Sequence, residues 1–202
     1  MLDGPLVFVD VDTQRDFLHP DGALAIAGAE AILANLARLT AFAKARGIPI
    51  LATACAHTLD EEDPEPFPTH CLVGSAGADR VEATAWAGSH VIAPDGPHRL
   101  PDDPPPHVTL QKTRYDVFSA PAAEAVFARY ARGGATFAVY GVATDYCVMA
   151  AVEGLLGRGY PVALVVDAVR AVDPEAEPAL LTDFARRGGL LVLTEVVCGG
   201  SG

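Results

Sequence analysis

The sequence predicts an α/β fold with a mostly parallel central sheet covered on both faces by helices. Two patterns carry that expectation. Residues 5–11 form an almost unbroken apolar run with Val and Phe, the signature of a strand buried on both faces. Along the rest of the chain, strand-like runs alternate with helical segments, the order of a parallel sheet with helical crossovers. Neither an internal repeat nor a linker divides the 202 residues, which read as one domain with room for a sizeable core.

The elements follow in order. After the first strand come Asp12-Thr13-Gln14-Arg15-Asp16-Phe17 and a turn at His19-Pro20-Asp21-Gly22. Residues 29–46 predict a helix: Ile32, Leu33, Leu36, Leu39 and Phe42 recur at three- and four-residue spacing, and Gly47 ends it. Residues 48–54 predict the second strand. Residues 55–80 form a long loop rich in acid and proline, and loops of that length are usually functional. Its run Asp60-Glu61-Glu62-Asp63 reads as solvated charge, whereas Cys55, His57, Phe67, His70 and Cys71 are harder to dismiss. Short strands are expected at 89–93 and 107–111, the second delivering Lys112, with an irregular proline-rich stretch between them. A helix at 120–132 closes on Gly133-Gly134. A strand at 135–140, a turn carrying Cys147 and a helix at 145–158 come next. A strand at 161–166 ends at Asp167, and Pro174 suits the first turn of a helix at 174–187. The last strand falls within 189–195, and the tail from Cys198 reads as loose.

Composition narrows the function. A formal charge of -12 argues against nucleic acid as a partner, because phosphate binding needs a cationic face. No apolar run is long enough to span a bilayer. The four cysteines show no CxxC pairing. With no export signal at the start, they are expected to be reduced thiols in a cytoplasmic protein.

Three reactive residues stand just past strand ends: Asp12, Lys112 and Cys147. Open parallel sheets bind ligands in the crevice beyond the carboxyl ends of their strands. Singly, Cys147 reads as a small buried hydrophobe, Asp12 as a turn residue and Lys112 as a surface cation. Together they make a nucleophile, a base to take its proton and an ammonium beside both. A helix start and a nearby ammonium are also expected to lower the Cys147 pKa.

At this point the residues resemble a known family. Gly141-Val142-Ala143-Thr144-Asp145-Tyr146-Cys147-Val148 looks like the nucleophile motif of nicotinamidases, which belong to the isochorismatase-like cysteine hydrolases. Asp12-Thr13-Gln14-Arg15-Asp16-Phe17 matches their D-x-Q-x-D-F. Lys112-Thr113-Arg114-Tyr115-Asp116-Val117-Phe118 is similar to their lysine motif. His70-Cys71-Leu72-Val73-Gly74-Ser75-Ala76-Gly77 resembles their H-C-x-x-G-T-x-G loop. The resemblance implies a three-layer αβα sandwich and a triad of Asp12, Lys112 and Cys147. It implies a cis peptide between Val142 and Ala143, and an oxyanion hole from the Ala143 and Cys147 N–H groups. It implies hydrolysis of a small amide such as nicotinamide through a thioester on Cys147, and a homo-oligomer. Phe17 and Phe67 would lie over the substrate ring, with Tyr146 lining the pocket.

The match breaks at one position. The family's metal site is D-x-H with a distant His, and the corresponding residues here are Cys55, His57 and His70. Three readings stand: a divalent metal on all three, Zn²⁺ being the ion that suits a Cys/His set; direct substrate contact by the histidines; or ordinary loop histidines. The thiol also keeps open another small amide or ureide as substrate, and a non-catalytic binding homologue is a further alternative. Asp16 is expected to support the site, paired with a basic group. Asp10 and Asp167 are expected to be structural, Cys71 and Cys198 inert, and Trp86 a packing residue. His19, His90, His98 and His107 are expected at the surface.

Overall fold

The computed structural model describes residues 2, 4–61, 66–96 and 99–199. The acidic run at Glu62-Asp63, His98 and the last three residues lie outside them. Seven strands form one sheet in the order β3-β4-β2-β1-β5-β6-β7. They are β1 (Leu6–Val11), β2 (Ile50–Cys55), β3 (His90–Ile92), β4 (His107–Lys112), β5 (Thr136–Val142), β6 (Val162–Arg170) and β7 (Leu190–Val192). Every pairing is parallel.

Three layers follow from side-chain alternation along β1. Val7, Val9 and Val11 enter one core with Val126 and Phe127 of α3 (Ala123–Tyr130), Val152 and Leu155 of α4 (Met149–Gly157) and Phe184 of α5 (Glu177–Arg186). Phe8 enters the other, with Phe17 of α1 (Arg15–Leu18), Leu36 and Leu39 of α2 (Leu33–Arg46) and Val197 of α6 (Thr194–Val197). The expected α/β sandwich is present.

Several boundaries differ from expectation. Residues 29–32 form a tighter 3-10 turn before α2. Strand β2 runs on to include Cys55, and β5 extends through Val142. Gly141 allows the latter: its φ is +114°, and a Cβ there would collide with the Val11 backbone. Strand β6 continues past Asp167 to Arg170 after a shift in its pairing with β5. The helix expected at 174–187 starts at Glu177, so Pro178 rather than Pro174 takes its first turn. A short helix, α6, follows β7 where only strand was expected; it docks on Asp167, whose carboxylate accepts from the Thr194 N–H at 2.8 Å and its hydroxyl at 2.9 Å. His107 is the clearest correction. It is buried, stacked on Trp86 at 5.0 Å between centroids and bonded to Ser89, and burial lowers its pKa to about 3. As the first residue of an interior strand, it turns inward with the pleat.

The chain leaves β1 for β2 on one side and returns to pair β5 on the other. That reversal opens a crevice at the carboxyl ends of β1 and β5.

Candidate active site

Four neighbouring strands, β4, β2, β1 and β5, each deliver one polar side chain to this crevice. Lys112 and Cys55 end their strands as direct cross-strand partners. Asp12 is the first residue past β1. Cys147 sits in a single widened turn, Thr144–Val148, between β5 and α4. There the Val148 N–H reaches back to the Ala143 carbonyl at 3.1 Å. Such five-residue loops within helices recur at functional sites. The expected continuous helix from 145 is therefore split, and the peptide before the turn, Val142–Ala143, is cis.

The structure brings Asp12, Lys112 and Cys147 together. Lys112 Nζ lies 2.8 Å from Asp12 Oδ2 and 3.4 Å from Cys147 Sγ. Thr53 donates to the other Asp12 oxygen at 2.6 Å. Asp12 takes a left-handed φ of +48°, and its N–H donates to Thr53 Oγ1 at 3.2 Å. Burial alone would raise the Asp12 pKa; the Lys112 ammonium and the Thr53 bond overcome it and hold the carboxyl below its usual range. Burial alone would lower Lys112; the Asp12, Cys147 and Cys55 groups instead hold it well above an ordinary lysine. Cys147 departs from expectation. The adjoining Cys55 thiol and burial push it well above an ordinary cysteine, and the Lys112 charge does not offset them. A thiol raised in this way stays protonated, and the ionised Asp12 carboxylate stands beside it.

Cys55 lies closer to the triad than its place in a metal motif suggested. Its sulfur is 3.5 Å from Lys112 Nζ and 3.7 Å from Asp12 Oδ2. It also lies within 4.8 Å of a ring nitrogen of His57 and of His70. The two imidazoles are oriented from behind. His57 Nδ1 pairs with Glu61 at 2.9 Å, and His70 Nδ1 donates to the Pro68 carbonyl at 2.8 Å. Burial lowers the His70 pKa, which keeps that ring neutral. The buried His57 Nε2 has no hydrogen-bond partner among the described residues. Two rings tethered through Nδ1, a free Nε2 and a thiol are a donor set that fits Zn²⁺.

A cavity of about 230 Å³ opens over Cys147. Phe17, Phe67 and Tyr146, all expected there, line it, as do Ala143, Cys55 and His70. Phe17 packs against His70 at 5.3 Å, and Phe67 meets Tyr146 edge-on at 5.3 Å. Tyr115, Ile26 and Val172 also line it, and sequence reasoning missed all three. It missed Gln14 as well, whose amide bonds the N–H and the C=O of Cys55, each at 2.8 Å. Asp16 braces the loops: its carboxylate accepts from the Ala23 N–H at 3.0 Å and the Cys71 N–H at 2.6 Å. Asp10 is structural, in a buried ion pair with Arg80. Cys71 is fully buried, and burial raises its pKa.

The isochorismatase domain family matches residues 6–196. A probable inactive nicotinamidase of Arabidopsis thaliana is 24% identical over 179 residues, covering 88% of this chain and 87% of that protein. The crystal structure of a nicotinamidase/pyrazinamidase from Bacillus subtilis superposes with a TM-score of 0.78 at 20% identity, covering 94% of this chain and 100% of that one. A pyrazinamidase of Pyrococcus horikoshii in complex with zinc gives a TM-score of 0.73 at 28% identity, covering 94% and 99%.

Proposed function

This chain belongs to the isochorismatase family, and from that premise we propose that it is a cysteine amidohydrolase acting on a small planar amide of the nicotinamide kind. One observation carries the reading: Lys112 touches both Asp12 and Cys147, and Cys147 opens into a cavity walled by Phe17, Phe67 and Tyr146.

The chemistry follows from the resting charges. As Cys147 Sγ attacks the amide carbonyl, Asp12 takes the thiol proton and a C–S bond forms. The Ala143 and Cys147 N–H groups are the candidate donors to the oxyanion. Asp12 passes its proton to the amide nitrogen, the C–N bond breaks and ammonia leaves. Water, deprotonated by Asp12, then cleaves the thioester, and the proton returns to Cys147. Lys112 stays an ammonium throughout and keeps Asp12 ionised between steps. The Arabidopsis relative is named as inactive; here all three groups are present, with Lys112 touching both of the others, which supports an active enzyme.

Zn²⁺ held by Cys55, His57 and His70 would supply a Lewis-acid position for a ring nitrogen of the substrate. Purified protein is expected to carry about one zinc per chain, and His57→Ala to lose it. Absence of metal from the purified protein, with no effect of chelators, would remove this mode of substrate anchoring.

A second reading is favoured by Cys55, the thiol standing where the resemblance implies a carboxylate: hydrolysis of another small amide or ureide. Ammonia release separates the two. Nicotinamide should be cleaved faster than benzamide, which lacks the ring nitrogen, and faster than aliphatic amides and ureides. A ureide cleaved preferentially would establish the second reading, and no ammonia from any of them would remove both.

A further inference from the structure

The hydrolytic steps leave Cys55 without a covalent role, yet its thiol lies against the nucleophile. The Cys55 and Cys147 sulfurs are within 4.8 Å of each other, and both face the same Asp12 carboxylate. One ammonium, Lys112 Nζ, touches both, at 3.5 and 3.4 Å. The two bonds from Gln14 fix the Cys55 backbone, and its side chain is buried. Both cysteines line the cavity over the site, so a small oxidant entering it meets both.

We propose that Cys55 is a resolving thiol: when a hydroperoxide oxidises Cys147, Cys55 captures it as a Cys55–Cys147 disulfide that reversibly arrests the enzyme. The arrest rests on the reading of Cys147 as the nucleophile; the disulfide itself rests on the placement of the two thiols. In the first step Cys147 Sγ takes one oxygen from the peroxide, the O–O bond breaks, and an alcohol or water leaves with the thiol's proton. The product is Cys147 sulfenic acid. In the second step Cys55 Sγ attacks that sulfur, the S–S bond forms and the S–O bond breaks. The hydroxyl departs as water with the Cys55 proton, which Asp12 Oδ2, 3.7 Å from Cys55 Sγ, is placed to relay. Two thiols are oxidised and one peroxide is reduced. Without a resolving thiol, a sulfenic acid goes on to sulfinic acid, which ordinary thiols do not reverse. A disulfide also withdraws Cys55 from any metal, so oxidation would disable nucleophile and metal site together.

The test uses the full chain, both as purified and after chelator treatment, exposed to equimolar hydrogen peroxide and then alkylated. Non-reduced peptide mapping should show the Cys55 and Cys147 peptides joined, with two of the four free thiols lost. Dithiothreitol should restore both thiols and the full rate of ammonia release. In Cys55→Ala given peroxide in severalfold excess, Cys147 should instead gain two or three oxygens and resist reduction, whereas the unsubstituted chain given the same excess should not. The proposal is overturned if neither preparation yields the joined peptide, or if Cys147 pairs with Cys71 or Cys198. Joined peptides in a protein that cleaves no amide would keep the thiol pair and remove the hydrolase. An active hydrolase whose Cys147 overoxidises as fast as in Cys55→Ala would do the reverse.

Discussion

Cys147→Ala is expected to lower ammonia release by about 10⁴-fold or more, leaving only what binding and electrostatics contribute. The substitution removes one sulfur from a buried position and leaves no charge unpaired, so the fold should survive. Thermal unfolding within a few degrees of the original protein would confirm it. Asp12→Asn should cost a comparable factor, because Cys147 rests as a neutral thiol and an amide cannot take its proton. Combining the two should be little worse than either, since base and nucleophile act as one unit. A double variant slower than the original protein by the product of the two separate losses would mean that Asp12 acts independently of Cys147.

Lys112→Met is expected to destabilise the fold by about 3–5 kcal/mol, because it leaves the fully buried Asp12 carboxylate without its partner. Adding Asp12→Asn should recover much of that stability without restoring activity. Denaturant unfolding of the single and double variants reads both. The same pair shapes the pH profile. Asp12 is depressed, so its contribution is present above the usual carboxylate range and is lost as pH falls through its folded value. Lys112 is raised, so its contribution is present below the ordinary lysine pKa and is lost as pH rises through its higher folded value. Stability should therefore be flat between roughly pH 5 and 10, as far as this pair sets it.

The meeting of Asp12, Lys112 and Cys147 was legible in the sequence for a physical reason. Strands buried on both faces are uniformly apolar, so a polar residue where such a run stops marks the sheet edge. Asp12 is marked this way directly after β1, whereas Lys112, the last residue of β4, and Cys147, five residues past β5, were marked also by the motifs around them. Strand order was not legible, because pairing depends on contacts far apart in sequence. Cys55 therefore looked like the start of a loop. Strand alternation puts Thr53 and Cys55 on one face of β2, and β2 lies between β4 and β1, so both reach the Asp12–Lys112 pair. The Cys147 pKa was misjudged for a related reason. The ammonium was anticipated, but the second thiol beside it was not. His107 shows the opposite failure: one polar residue at a strand start gives no sign of whether an aromatic such as Trp86 will cover it.

The most direct measurement of the central claim is the mass of the enzyme acid-quenched during turnover of nicotinamide or whichever amide it cleaves best. The geometry predicts an added acyl group on the Cys147 peptide, labile to hydroxylamine as a thioester is, and absent in Cys147→Ala. Ammonia released at full rate with no acyl adduct on Cys147, or with the adduct on another residue, would contradict it.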